Sequence, residues 1–138
     1  MINEVFADTS CWIALVNKHD EHHERAHDTV ARQRRYMVTT QFVFMELFDG
    51  AARRPRLKRM SMALVDKLIV DPTVVVVPAT PGLFERALAP YSKRADKQWT
   101  LTDCASFAVM RERGIAQALT TDHHFEQAGF KALLRVRS

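Results

Sequence analysis

The sequence predicts an α/β protein, a three-layer α/β/α sandwich with a central, mainly parallel sheet of about five short strands. Short apolar runs alternate with longer segments of helical character along the chain, as expected for a sheet covered by helices on both faces. Four consecutive valines at residues 74–77 are typical of a parallel strand buried on both faces. The chain has 138 residues, 47% of them hydrophobic and 26% charged, so one domain spanning residues 1–138 can bury a core.

Each predicted element has a local signal at its boundaries. The strands are predicted at residues 5–7, 37–40, 74–77, 116–121 and 133–136. Helices are predicted at residues 11–16, 21–35, 41–50 and 60–70. A fifth helix begins at residue 81 and ends at either 90 or 95. A sixth begins somewhere within residues 95–104 and ends at 113, and a seventh begins at 123 and stops at Gly129. Thr80 before Pro81 is a typical helix start, and Gly114 is a typical helix stop.

The helix predicted at residues 41–50 contains an acidic residue, Glu46, in an otherwise apolar surrounding. A helix that is apolar nearly all round is expected to be buried. Burying a carboxylate costs several kcal/mol unless it is paired or bound to a metal. Glu46 therefore requires a partner, and a metal site and a structural salt bridge both satisfy that requirement.

Three further acids stand at comparable positions. Asp8 follows the first predicted strand, Asp122 follows the fourth, and Asp103 lies at the start of a helix. The carboxyl ends of parallel strands share one edge of a sheet, where ligands bind. We therefore expect these three carboxylates and Glu46 to converge there.

Two of these acids also have a purely structural interpretation. Asp8, or one of the hydroxyl residues Thr9 and Ser10 beside it, can cap the first helix. Asp103 stands three residues after Thr100, the spacing of a capping box with Asp in place of Glu.

A cluster of four carboxylates needs either protons or a cation. At an effective dielectric constant near 20, one like-charge pair about 4 Å apart costs roughly 4 kcal/mol. Oxygen-only ligands suit Mg²⁺ or Mn²⁺ rather than zinc. Such an ion typically acts on phosphate esters, by activating water and stabilising charge on the phosphate.

The positive charge of the chain is concentrated in two clusters. The net charge is +4, which permits binding to an anionic polymer. The first cluster comprises Arg32, Arg34 and Arg35, and the second, which we call the basic segment, comprises Arg53, Arg54, Arg56, Lys58 and Arg59. The basic segment is the candidate nucleic-acid surface, and a solvated helix face or loop is its alternative.

Other classes of function find no support in the sequence. There is no apolar run of membrane-spanning length, no secretory leader pattern, no glycine-rich phosphate loop and no Gly-x-Ser-x-Gly motif. Cys11 and Cys104 are predicted to be reduced core residues of a cytoplasmic protein. The histidines are expected to lie on a solvated helix face rather than to bind metal: His19, His22, His23 and His27.

The motifs together resemble those of the PIN-domain ribonucleases, most closely the VapC-type toxins of bacterial toxin–antitoxin pairs. The resemblance spans essentially the whole chain. The matching pieces are Phe6-Ala7-Asp8-Thr9-Ser10, Glu46 in its apolar helix, Leu101-Thr102-Asp103-Cys104, and Leu119-Thr120-Thr121-Asp122-His123-His124-Phe125 followed by Gly129-Phe130.

The resemblance implies a Mg²⁺- or Mn²⁺-dependent endoribonuclease that acts on single-stranded or looped RNA. Asp8, Glu46, Asp103 and Asp122 match the catalytic acids of the family. Asp8 and Asp103 match the direct metal ligands, while Glu46 and Asp122 match positions for a second metal or an outer shell. The implied supporting residues are Thr9, Ser10, Thr120, Thr121 and, with a structural role as its alternative, Asp96.

The same resemblance implies partners. Members of this family usually form homodimers, and an antitoxin silences them by inserting its C-terminal segment into the active-site groove. Three alternatives remain open at this point: an RNase of RNA maturation or decay, a catalytically silent RNA-binding regulatory domain, and a DNA-directed nuclease of similar fold.

Overall fold

The structure is a computed structural model that describes residues 3–135, and a five-stranded sheet lies at its centre. Its strands are β1 (Glu4–Ala7), β2 (Tyr36–Thr40), β3 (Val74–Val77), β4 (Gln117–Leu119) and β5 (Lys131–Ala132). All neighbouring strands are parallel, in the order β3-β2-β1-β4-β5. The predicted α/β fold with a parallel sheet of five short strands is confirmed.

The direction of strand addition reverses beside β1. The chain adds β2 and β3 on one side of β1, and then returns to add β4 and β5 on the other. In sheets of this kind, ligands bind in the crevice at the carboxyl ends of the strands where the direction reverses. Ala7 pairs with Leu119 across β1 and β4, so the next residues, Asp8 and Thr120, stand side by side in that crevice.

Seven helices are present within the described residues. They are α1 (Thr9–Val16), α2 (His23–Ala31), α3 (Gln41–Ala51), α4 (Pro55–Val70), α5 (Pro81–Lys93), α6 (Leu101–Arg113) and α7 (His123–Gln127). The helices α1, α3 and α4 contact one another, with α2 packed on α1, and α6 contacts both α5 and α7. Among residues 3–135, no helix combines the length and apolar character that a membrane span requires.

Helix starts follow the hydroxyl signals of the sequence. The side chains of Thr40, Thr80 and Thr100 each accept a hydrogen bond from the backbone N–H three residues later. Such caps are worth about 1 kcal/mol each, because they satisfy an N–H group that the helix leaves unpaired. The predicted stop at Gly114 is also found, with a φ of 69° that favours glycine.

Aromatic packing holds together the elements that carry the predicted site. Phe107 of α6 is fully buried, and its ring meets those of Trp99 and Phe125 edge-on, at centroid distances of 5.1 and 5.0 Å. Phe6 of β1 packs against Phe125 at 6.3 Å. The acids that flank β1, α6 and α7 are therefore fixed to one rigid core.

Two strand predictions need correction. The valines of β3 are half-buried rather than buried on both faces, because β3 is an edge strand. The last strand lies at Lys131–Ala132 instead of residues 133–136, and Leu134 is buried in the following turn. Val136 of that prediction lies outside the described residues. A short apolar run reports burial but does not distinguish a central strand from an edge strand or a turn.

Helix boundaries also differ from the predictions. The helix predicted at residues 21–35 is shorter in the structure, where α2 spans His23–Ala31. It begins later because the side chain of Asp20 accepts a hydrogen bond from the backbone N–H of His22 and forms a turn there. The helix predicted from residue 60 begins at Pro55, so most of the basic segment is helical. The helix α5 continues through Pro90 to Lys93.

Candidate metal centre

Asp8 directs its carboxylate across the crevice rather than into the helix that it precedes. Its backbone starts α1, but its side chain makes no capping hydrogen bond. Oδ2 instead accepts hydrogen bonds from the Thr120 hydroxyl at 2.8 Å and the Ser10 hydroxyl at 3.2 Å. The capping interpretation therefore holds for the position of Asp8 but is wrong for its side chain.

The other oxygen of Asp8, Oδ1, is buried without a hydrogen-bond partner among residues 3–135. Asp8 is only 3% exposed. Burial, reinforced by the nearby charge of Asp103, raises the pKa of Asp8 to about 7. Because buried polar atoms are normally paired, an unpaired carboxylate oxygen in an acidic cluster fits the ligand position of a cation.

Asp103 serves the helix and the acidic cluster at once. Its Oδ2 accepts from the backbone of Thr100 at 3.1 Å, and its own backbone N–H donates to the Thr100 hydroxyl, which completes the predicted capping box. The same Oδ2 lies 3.0 Å from Nδ1 of His124. Burial raises the pKa of Asp103, and the charge of Asp122 raises it further. The capping and site interpretations are therefore compatible.

Glu46 reaches the cluster from the second turn of α3. Burial raises the pKa of Glu46, and the charges of Asp103 and Asp122 raise it further. The nearby hydroxyl of Thr9 lowers this pKa, although its geometry falls short of a hydrogen bond. Glu46 is half-buried, because one side of α3 faces the solvent and Met45 on α3 is 57% exposed. The prediction of a fully buried helix is therefore wrong. Among the described residues, Glu46 has no basic partner in an ion pair, so the structural salt bridge is not found.

Asp122 occupies the N-cap of α7. Its Oδ1 accepts from the backbone N–H of His124 at 2.9 Å, and Oδ2 lies 3.3 Å from Nδ1 of the same residue. Its side chain is 30% exposed, so it stands at the mouth of the centre. The four predicted acids thus act on one another electrostatically: Asp103 and Glu46 raise the pKa of Asp8, and Asp122 raises the pKa of Asp103 and of Glu46.

His124 is the residue that sequence reasoning missed. Its Nδ1 lies between the carboxylates of Asp103 and Asp122, and its side chain is 16% exposed. The signal was present, since an imidazole two residues after a strand-end acid shares the first turn of the following helix. In the sequence, His123 and His124 belong to the motif that carries the family resemblance, and no separate role is predicted for them.

The predicted supporting hydroxyls lie in two different arrangements. Ser10 and Thr120 hold Oδ2 of Asp8, and the Thr120 hydroxyl also accepts from the backbone of Asp122. Thr121 contributes its backbone N–H, which donates to Ser10 at 3.0 Å. Two segments of the chain, residues 8–10 and 120–122, thereby meet at one carboxylate.

Asp96 is placed away from this network. It forms a bidentate ion pair with Arg94 at 3.0 and 3.1 Å, and its side chain is 61% exposed. The hydrogen bond from Arg94 lowers the pKa of Asp96. These contacts support its structural alternative.

The basic segment lies beyond the acidic cluster, at the junction of α3 and α4. All five of its cations are exposed. Glu46 lies five residues before Ala51, the last residue of α3, and Arg53 follows in the turn after that helix. The basic segment is thus a neighbouring surface, separate from the centre itself.

The thiols and the histidines of α2 do not form a second reactive site in the described part of the chain. Cys11 and Cys104 are buried and free, and burial raises the pKa of both. His23 packs α2 on α1, its Nδ1 lying 2.6 Å from the backbone oxygen of Ala14. Among residues 3–135, the mutually close ligand atoms of Asp122, His123 and His124 form a group at the mouth of the acidic cluster, and Asp103 contacts this group through Nδ1 of His124.

The fold and the acidic crevice identify the class of protein. The sequence profile of the PIN-domain family matches residues 5–131, so the chain belongs to that family. It is similar to the 23S rRNA-specific endonuclease VapC20 of Mycobacterium tuberculosis, with 32% identity over 126 residues, which cover 91% of this chain and 95% of VapC20.

Solved structures agree with this assignment. The crystal structure of VapC20, described as a sarcin–ricin loop cleaving toxin, matches with a TM-score of 0.83 and 31% identity, over 91% of this chain and 95% of that one. A toxin–antitoxin complex from Klebsiella pneumoniae shares the fold, with a TM-score of 0.62 and 17% identity over 96% and 99% of the two chains. The predicted resemblance to VapC-type PIN ribonucleases, and the predicted nuclease class, are confirmed.

Proposed function

We propose that this protein, with residues 1–138 as one catalytic domain, is a metal-dependent endoribonuclease and the toxin of a toxin–antitoxin pair. The observation that carries the proposal is the acidic cluster: Asp103 and Glu46 act on Asp8, whose Oδ1 is buried and unpaired among residues 3–135, and Asp122 acts on Asp103 and Glu46. The similarity to VapC20 extends along 91% of the chain. We therefore propose the sarcin–ricin loop of 23S rRNA as its substrate.

The donor set fits a divalent ion such as Mg²⁺ or Mn²⁺. Asp8 and Asp103 are the proposed direct ligands, and Glu46 and Asp122 hold a second ion or the outer shell. When bound, such an ion lowers the pKa of water and stabilises negative charge on the phosphate. Ser10 and Thr120 orient Asp8 by binding Oδ2, which leaves Oδ1 without a hydrogen-bond partner among residues 3–135 and available to a cation.

Glu46 is suited to accept the proton of the attacking water. Its raised pKa brings the carboxylate closer to the value that a general base needs near neutral pH. Its half-exposed position admits water from the solvent side. As the water attacks phosphorus, the bond from phosphorus to the leaving ribose oxygen breaks, and that oxygen takes up a proton from the solvent.

The basic segment provides the proposed contact with the RNA backbone. Arg54 lies at the N-cap and Arg56 and Lys58 in the first turn of α4, where the positive end of the helix dipole disfavours positive charge. Within residues 3–135, none of the five pairs with a carboxylate. A bound polyanion relieves both effects, since it supplies the missing negative charge.

We also propose an antitoxin partner, a homodimeric state and a cytoplasmic location. An antitoxin whose basic side chain enters the cluster would neutralise the same carboxylates as the metal. Analytical ultracentrifugation of the purified protein tests the dimer. Suppression of growth inhibition by co-expressed antitoxin tests the partner, and that partner is expected to be encoded in the gene immediately upstream.

The function is tested by digestion of a synthetic sarcin–ricin hairpin. We expect a single cut that requires Mg²⁺ or Mn²⁺ and is abolished by EDTA. A DNA hairpin of the same sequence tests a DNA-directed nuclease, and unrelated structured RNAs test a maturation or decay enzyme. Binding of RNA without cleavage in either metal would favour a silent RNA-binding domain.

Replacing Thr120 by Val is expected to slow cleavage about tenfold and to move the rise of activity to higher pH. The Thr120 hydroxyl lowers the pKa of Asp8, so its loss favours the protonated carboxyl, which cannot bind a cation. A hydrogen bond to a charged group is worth about 1.5–3 kcal/mol. Cleavage rates from about pH 5 to about pH 9 measure both effects.

The matched control for this variant is Thr121→Val. Thr121 contacts Ser10 through its backbone N–H, which the substitution leaves in place. An equal shift of the pH profile in both variants would contradict the assigned role of the Thr120 hydroxyl.

Replacing Arg54 and Arg56 together by Gln is expected to weaken RNA binding and reduce its dependence on salt. Each lost phosphate contact changes the slope of log affinity against log salt concentration by about 0.7 for a single strand, so the double variant should be shallower by about 1.4. Fluorescence anisotropy with a labelled RNA measures the slope. The matched control is the double variant of Arg32 and Arg34, and equal losses in both would refute a specific role of the basic segment.

A further inference from the structure

The imidazole of His124 is positioned like a ligand of the acidic centre. Its Nδ1 lies 3.0 Å from Oδ2 of Asp103 and 3.3 Å from Oδ2 of Asp122. Two ligands at neighbouring positions of an octahedral ion, each about 2.1 Å from it, are about 3.0 Å apart. Nδ1 of His124 therefore lies at ligand spacing from one oxygen of each carboxylate.

The position of this ring is set by the local structure. The backbone N–H of His124 donates to Oδ1 of Asp122, which ties the residue to the acid at the mouth of the centre. The next residue, Phe125, is fully buried against the aromatic core. His124 thus presents Nδ1 to the two carboxylates from a fixed helical turn.

The neighbouring imidazole differs in its surroundings. The Nδ1 of His123 is 3.6 Å from Oδ1 of Asp122, and its side chain is 55% exposed. The two imidazole rings lie 4.5 Å apart. The contact with Asp103 is formed by His124, which makes it the better-placed nitrogen donor.

A second observation points to a cation at this place. The unpaired Oδ1 belongs to Asp8, which is 3% exposed and electrostatically coupled to Asp103, the residue that His124 contacts. A cation bound beside Asp103 would therefore also offset the negative charge that acts on Asp8. The acids and the imidazole thus form one donor set of oxygen and nitrogen.

We propose that His124 is a nitrogen ligand of the metal centre, which gives one of its positions a preference for first-row transition cations over Mg²⁺. The inference rests on the proposed metal-dependent function. Imidazole favours transition metals, whereas Mg²⁺ prefers oxygen. The neutral ring would bind through Nδ1 with its hydrogen on Nε2, taking the metal where Nδ1 now meets the two carboxylates.

Pulsed EPR of bound Mn²⁺ tests this ligand directly. The full chain, stripped of metal and loaded with Mn²⁺ alone, is expected to show modulation from a directly bound ¹⁴N nucleus. Labelling with ¹⁵N-histidine should convert that signal to the ¹⁵N pattern, a test that needs no variant. The signal should vanish in His124→Asn and persist in the matched variants His123→Asn and His27→Asn.

Calorimetric titration supplies a second readout. We expect His124→Asn to weaken Co²⁺ binding about tenfold or more while Mg²⁺ binding changes less than about twofold. Equal losses for the two metals, or nitrogen modulation that survives His124→Asn, would overturn the inference.

The outcomes separate this inference from the proposed function. Mn²⁺ that binds in an Asp8-dependent manner but without nitrogen modulation refutes the role of His124 and leaves the metal centre intact. Failure of the protein to bind Mn²⁺ in any Asp8-dependent manner refutes both.

Discussion

Replacing Asp8 by Asn is expected to reduce RNA cleavage about a thousandfold while the protein remains folded. The substitution keeps the shape of the side chain and an oxygen for the Thr120 hydroxyl, but it removes the charge at the centre of the acidic cluster. A loss of about 4 kcal/mol of transition-state stabilisation corresponds to about a thousandfold in rate, and removal of a metal ligand is expected to be of this size. Initial rates on the sarcin–ricin hairpin measure it.

The matched control is Asp96→Asn. This acid pairs with Arg94 on the surface, so its loss should leave the rate within about twofold of the parent protein. Near-normal cleavage by Asp8→Asn, at saturating Mg²⁺, would show that Asp8 is not a metal ligand in catalysis.

The same substitution is expected to stabilise the metal-free protein above about pH 7 by up to about 4 kcal/mol. The pKa of Asp8 is raised from 3.8 to about 7 in the folded state. The folded protein therefore holds this proton more tightly than the unfolded chain does. The stabilisation that the bound proton of Asp8 gives to the folded protein is complete below about pH 4 and is lost as pH rises through about 7. Asn carries no such charge and avoids the loss.

Urea denaturation in the presence of a chelator, from about pH 4 to about pH 8, measures the difference between the two proteins. The advantage of Asp8→Asn should grow as pH rises through this range. Added Mg²⁺ or Mn²⁺ should stabilise the parent protein and have little effect on the variant, because only the former binds the ion tightly. A difference independent of pH would mean that the folded protein does not hold the Asp8 proton tightly.

These two results together express a conflict between stability and function. An acidic cluster that repels itself in the absence of metal reduces the stability of the free fold. The same repulsion favours capture of a cation. The arrangement is understandable if the centre has been selected for binding and catalysis rather than for stability.

Much of the fold was predictable because its signals are local. The helix start at Thr80 and the stop at Gly114 depend on neighbouring residues alone and were predicted correctly, and the spacing of Thr100 and Asp103 indicated the capping box that is found. The alternation of apolar runs with helical segments was sufficient for the parallel sheet. That sheet in turn justified the expectation that acids at strand ends would meet.

Other features depend on which elements become neighbours. The run of valines in β3 indicated burial, but its place at the edge of the sheet is set by the order of all five strands. The apolar composition of α3 did not reveal that one side faces solvent, with Met45 exposed. The buried Leu134 suggested a strand where the chain forms a turn.

The sequence by itself determined the class of the sheet and the four acids of the candidate centre, because both follow from residue type and position along the chain. Only the tertiary structure decided how those acids are used: that Asp8 turns to Thr120 instead of capping α1, that Asp103 does both, and that His124 stands between Asp103 and Asp122. These contacts join residues up to 112 positions apart. They arise from the packing of β1, β4, α6 and α7 around one core, which no local pattern encodes.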